Sequence, residues 1–168
     1  MRLVHPALLI LVSLAPLSAH ARPWQGIAPG VSTQREVVAR FGEPSTRAKR
    51  AARTVLAYHG ERAPAGTRPA QFHVDGAEVV QEITIFLTVQ LDAESVEGTY
   101  GKPPQRTFVE DTFQKVWLYP AAGVSVYFGK DGNVEALTFS PGKPARAPAA
   151  PDAAARAHTP APPAQGAH

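Results

Sequence analysis

Few side chains in this sequence combine the residue types and spacings that chemistry requires. His59 and His73 lie in a stretch that alternates like β-strands, and Glu61 and Asp75 stand two residues after each. On adjacent strands, two imidazoles and a carboxylate could hold zinc. A zinc site needs at least three fixed protein ligands, and this pattern fixes only two. Surface or hydrogen-bonded histidines are therefore the stronger reading, and no metal is expected. Glu110 and Asp111 form an adjacent acidic pair. Neighbours on an extended segment point to opposite faces, whereas paired catalytic carboxylates must flank one substrate, so a solvated loop is expected there. Arg47, Lys49, Arg50 and Arg53 form a basic cluster that could meet anionic lipid headgroups or an acidic partner. It is read as a solvated, flexible loop. There is no Gly-x-Ser-x-Gly, no phosphate-cradling glycine loop and no His-Glu-x-x-His. No enzymatic activity, cofactor or small-molecule substrate is expected.

Composition narrows the classes further. The 168 residues include no cysteine, which removes disulfides, thiolate metal sites, thiol nucleophiles and an N-terminal lipidated cysteine. A net charge of +3 is too slight to argue for nucleic-acid binding. Residues 1–21 have the pattern of a secretory signal peptide: Arg2, an apolar run from Ala7 to Leu17, and Ala19-His20-Ala21 as the cleavage site. The run is shorter than the roughly 20 residues that span a membrane. Residues 141–168 are rich in Ala and Pro and contain no Val, Ile, Leu, Phe, Tyr or Trp. They cannot bury enough apolar area to offset ordering, and a disordered or polyproline-like tail is expected.

Between these ends the chain repeats itself. Phe41-Gly42-Glu43-Pro44 matches Tyr100-Gly101-Lys102-Pro103, and Arg47 matches Arg106. Val55-Leu56-Ala57-Tyr58 matches Val116-Trp117-Leu118-Tyr119, and Asp75-Gly76 matches Asp131-Gly132. The run Val80 to Ile85 matches Val134 to Phe139. Thr33 and Asp92 are N-cap candidates, with Glu36 completing a capping box. Gly42 and Gly101 suit left-handed C-terminal caps, and the following prolines prevent continuation. The rest of each unit alternates like strands, with the Asp-Gly pairs as turns. The expected fold is α+β: two tandem helix-strand-strand-strand repeats, residues 22–90 and 91–140, forming a mostly antiparallel sheet with helices on one face.

The pattern Ile27-x-Pro29-Gly30-x-Ser32-Thr33-x-x-Glu36-Val37, then Phe41-Gly42-x-Pro44, an aromatic strand and a later Asp-Gly turn, resembles the SmpA/OmlA domain. This is the BamE-type domain of bacterial outer-membrane assembly lipoproteins. Two such units in tandem are also similar to the β-lactamase-inhibitor-protein fold. The first resemblance implies a scaffold module of the cell envelope that binds an envelope or outer-membrane protein, with peripheral membrane contact as a further option. The second implies, as the alternative, a secreted inhibitor of an enzyme. Since the lipobox cysteine of the assembly lipoproteins is absent, the expected location is periplasmic or secreted, without a lipid anchor.

Strand alternation predicts where a partner would bind. Val55, Ala57, Ile83, Ile85, Leu87, Val116, Leu118, Val124, Val126 and Phe128 are read as core. The opposite, open face would then carry Tyr58, Phe86, Trp117, Tyr119 and Tyr127, among Leu56, His73, Thr84 and Ser125. Aromatic residues among small polar ones match interface chemistry; the alternative is that the 60–70 loop or the ends of the mature chain cover this face.

Overall fold

A computed structural model describes residues 21–143. The expected leader, apart from Ala21, and the expected tail from residue 144 onward lie outside the described residues.

Both helices form where their caps require. α1 spans Gln34–Phe41, and its capping box is complete: Thr33 Oγ1 accepts from the Glu36 amide at 3.4 Å, while Glu36 Oε2 accepts from the Thr33 amide at 2.7 Å. α2 spans Ala93–Tyr100, and Asp92 accepts from the Ser95 amide at 2.8 Å. Each helix ends on its glycine, at φ 79° and ψ −169° for Gly42 and φ 79° and ψ −176° for Gly101. The φ is positive as expected, but ψ is extended rather than left-handed helical, a region that essentially only glycine occupies. The carbonyl that this turn exposes is then captured. Tyr58 Oη donates to Gly42 O at 2.9 Å, and Tyr119 Oη donates to Gly101 O at 3.0 Å.

Four strands follow each helix: β1 Thr46–Arg50, β2 Arg53–Tyr58, β3 Thr67–Val74 and β4 Val80–Leu87 after α1, and β5 Gln105–Phe108, β6 Lys115–Tyr119, β7 Val124–Phe128 and β8 Val134–Phe139 after α2. They form one antiparallel sheet in the order β1-β2-β3-β4-β8-β7-β6-β5. That order is palindromic. The two repeats meet through their last strands, and the equivalent residues Thr84 and Thr138 face each other there, with their hydroxyls 3.2 Å apart.

This architecture corrects the expected one. Each unit has four strands rather than three, and the molecule is dominated by its sheet, so it is not an α+β arrangement with helices packed as a layer on one face. The helices have eight residues each, roughly 12 Å of length, and each buries one side chain fully, Val37 or Val96. The unanticipated strands are the edges β1 and β5, whose sequences TRAKR and QRTF carry no apolar alternation. The basic cluster is therefore no flexible loop. Arg50 faces Arg53 across a two-residue turn at the sheet edge, with Ala51 at φ 52°. Charged side chains on an edge strand discourage pairing with other chains. Glu110 and Asp111 lie in the turn joining β5 to β6.

One side of the sheet carries the core in continuous cross-strand rows. Leu56, Phe72, Ile83, Phe139, Val124 and Tyr119 form one row, and Tyr58, Ala70, Ile85, Leu137, Val126 and Trp117 form the next. Trp24 and Phe41 close over the first half, their ring centres 5.8 Å apart, with Phe72 5.5 Å from Phe41.

Four carboxylates serve the turns and caps, and all are held below their usual range by hydrogen bonds. The Val79 amide acts first on Asp75, the Asn133 side chain on Asp131, the Ser95 amide on Asp92 and the Thr33 amide on Glu36. A depressed carboxylate stabilises the fold above its unfolded value, near 4, and that stabilisation is lost as pH falls through the lower folded value. The urea midpoint is therefore expected to hold from neutral pH to about 5 and to drop below about 4. An Asp75→Asn, Asp131→Asn double variant should start lower at neutral pH and show a flatter acid limb. An unchanged acid limb would contradict this assignment.

Candidate functional site

The side of the sheet opposite the core is built from the alternate residues of the same strands. Its central rows run Leu118, Ser125, Thr138, Thr84, Gln71 and Ala57, and Val116, Tyr127, Ala136 and Phe86. Ala136 on β8 pairs with Phe86 on one side and Tyr127 on the other. Between them lies a shallow depression of about 290 Å³ lined by Glu82, Thr84, Phe86, Gln114, Tyr127, Glu135, Ala136 and Thr138. Gln114 Nε2 donates to Glu135 Oε2 at 2.7 Å. His73 Nε2 lies 3.9 Å from Glu82 Oε1.

The five aromatic residues expected on this face are divided by the structure. Phe86 and Tyr127 are on it, half-buried and flanking Ala136. Tyr58, Trp117 and Tyr119 belong to the core side, at 0%, 5% and 5% exposure. The cause is the phase of β2 and β6. Their stretches Val-Leu-Ala-Tyr and Val-Trp-Leu-Tyr are apolar on both sides, so alternation alone leaves open which side is buried. The larger side chains take the core, where they bury the most apolar area. Val55 and Val116 are also buried, but on the opposite side, in register with His73 and Tyr127. The signal that fixes the phase of β2 lies in its neighbour. β3 alternates clearly between Ala70, Phe72, Val74 and the polar Gln71 and His73, and Leu56 and Tyr58 register with its apolar set.

In the core, burial pushes the Tyr58 and Tyr119 phenols above their ordinary value, with Glu43 and Glu97 adding to the effect. Trp117 is roofed by cations. The Arg106 guanidinium lies 5.1 Å from its ring centre, and Lys115 Nζ lies 5.2 Å from it and 4.0 Å from that of Phe128. These are packing contacts at the sheet border.

The two histidines are separated. His73 registers with Val55 on β2, four residues before His59 and so about 13 Å along the strand. Among the described residues, no three His, Asp or Glu side chains cluster as metal ligands. A larger hollow of about 760 Å³ lies between the β4–α2 connection and the β7–β8 turn. Two of its polar groups have structural partners: Arg68 Nε donates to Leu87 O, and Asp131 accepts from Asn133. The open face thus presents Phe86 and Tyr127 around one shallow depression, with Glu82 and Glu135 in its lining.

No protein-family model matches the sequence, and no curated protein matches it. Among solved structures, the chain is similar to a DUF4309 family protein, YjgB, from Bacillus subtilis. The TM-score is 0.55 at 20% sequence identity, covering 70% of this chain and 83% of that one. At this identity the likeness is one of fold.

The face assignment makes a stability prediction. Trp117→Ala should cost about 3–5 kcal/mol, as for a large aromatic residue removed from a core. Tyr127→Ala should cost about 1 kcal/mol or less, as for a partly exposed site without a special role. Urea denaturation of both variants measures the difference, and equal costs would contradict the assignment.

Proposed function

We propose that this chain is a non-enzymatic, exported binding module of the bacterial cell envelope, and that it holds a protein partner against the open face of its sheet. The contact residues are Phe86 and Tyr127. One observation carries the reading: two half-buried aromatic side chains flank a small residue on the solvent side of a sheet whose other side is a closed core. Aromatic residues with few rotatable bonds, set among small polar groups, are the anchors that interfaces use. The sheet border offers less, since β1 is guarded by Arg47, Lys49 and Arg50. Export is supported by the leader pattern of residues 1–21, and placement in the envelope by the repeated Phe-Gly-x-Pro and Tyr-Gly-x-Pro motifs that resemble the SmpA/OmlA domain.

A photo-reactive amino acid placed at position 86 or 127 of the full chain, in the native envelope, tests this reading. Both positions should give adducts of the same mass, and position 35, an exposed residue of α1, should not. Identical adduct patterns at all three positions, or none at 86 and 127, would contradict the docking face.

A further inference from the structure

Resting on that docking reading, we infer that the slot over Ala136 receives an arginine side chain presented by an extended segment of the partner. Three features of the slot argue for this. Its walls suit a flat group. Phe86 and Tyr127 stand on the strands either side of β8, both in register with Ala136, so their backbones are about 9–10 Å apart. Their rings are two aromatic surfaces on which a planar cation can stack. The floor is the Ala136 methyl group, itself buried at 5% exposure, at the base of the depression of about 290 Å³.

Its charge suits a cation. The lining includes Glu82 and Glu135 and no Lys or Arg, in a chain whose net charge is +3. Glu135 directly precedes Ala136. One of its oxygens accepts from Gln114, so the other is left for a second donor. Among the described residues, Glu135 has no cationic partner within 4.0 Å. An apolar side chain seated there would leave this carboxylate partly desolvated and unpaired, which is unfavourable.

The combination selects among cations. A guanidinium is planar, stacks on aromatic groups and can donate an N–H to the Glu135 oxygen that Gln114 does not engage. An ammonium satisfies the charge but offers no flat surface to the two walls. Beyond the slot, Thr84, Thr138 and Ser125 continue the same face in register across β4, β8 and β7. Their hydroxyls can donate to or accept from the backbone of an extended segment.

The test is a titration of the isotopically labelled full chain with four peptides, acetyl-Ala-Thr-X-Thr-Ala-amide, where X is arginine, citrulline, lysine or leucine. The amide shifts of Phe86, Ala136 and Tyr127 are read. The arginine peptide should shift these amides saturably, and its neutral citrulline isostere should bind about tenfold more weakly. Glu135→Gln should weaken the arginine peptide by about the same factor. Ala136→Leu should abolish the shifts while the core resonances of Val126 and Ile85 stay in place. Equal binding of the citrulline, lysine or leucine peptide would overturn the inference, as would an unaffected Glu135→Gln variant. So would the absence of any shift with the arginine peptide at about 10 mM. Adducts at positions 86 and 127 that persist in any of those cases would leave the docking reading standing and remove the arginine slot alone.

Discussion

The seam between β4 and β8 is the constraint on which the rest of the molecule depends. Each repeat by itself is a four-stranded sheet with one short helix, and its last strand would expose an unpaired edge. Joining those edges antiparallel, with Thr84 opposite Thr138, removes both at once and runs the core through the join, with Ile83 against Phe139 and Ile85 against Leu137. The register is fixed by that apolar set. A slip of one residue would send Thr84 and Phe86 toward the core and Ile83 and Ile85 into solvent. The depression over Ala136 exists only because β4, β8 and β7 lie side by side in this register, so the candidate site is a product of the seam and belongs to neither repeat alone.

The two halves solve their local problems with the same device and finish them differently. In each, a glycine at positive φ ends the helix and a tyrosine hydroxyl from the second strand of the unit takes its carbonyl. This bond ties the helix end to the sheet. It also explains why Tyr58 and Tyr119 are core residues although each carries a polar group: the ring is buried and the hydroxyl has a partner. The halves diverge in what covers them. Phe41 on Tyr58 and Tyr100 on Tyr119 are equivalent, but the first half adds Trp24 while the second adds Arg106 and Lys115 over Trp117 and Phe128. The equivalent arginines choose different acids as well: Arg47 pairs with Glu43 at 2.7 Å, and Arg106 with Glu97 at 3.4 Å.

The features legible in the sequence are those in which the backbone dictates the residue. Caps at Thr33 and Asp92, helix stops at Gly42 and Gly101, and turns at Asp75 and Asp131 each need a particular side chain, so they recur visibly in the sequence. The edge strands were illegible because β1 and β5 bury little and carry no apolar period. Missing them inflated the weight of the helices and led to the wrong fold class. The site was half legible for a related reason. On β4 and β7 the polar Thr84 and Ser125 mark the open side, and Phe86 and Tyr127 share it with them. On β2 and β6 both sides are apolar, so alternation does not place Tyr58, Trp117 and Tyr119, which lie in the core.

A sheet with one closed side and one open, aromatic, locally acidic side has a surface suited to holding a partner. Because the chain has no native cysteine, a single introduced thiol reports on that surface without background. Maleimide labelling of a Tyr127→Cys variant, in the intact envelope and after purification, tests the central claim most directly. Protection in the envelope and ready labelling of the purified chain are expected. Equal labelling in both would contradict it.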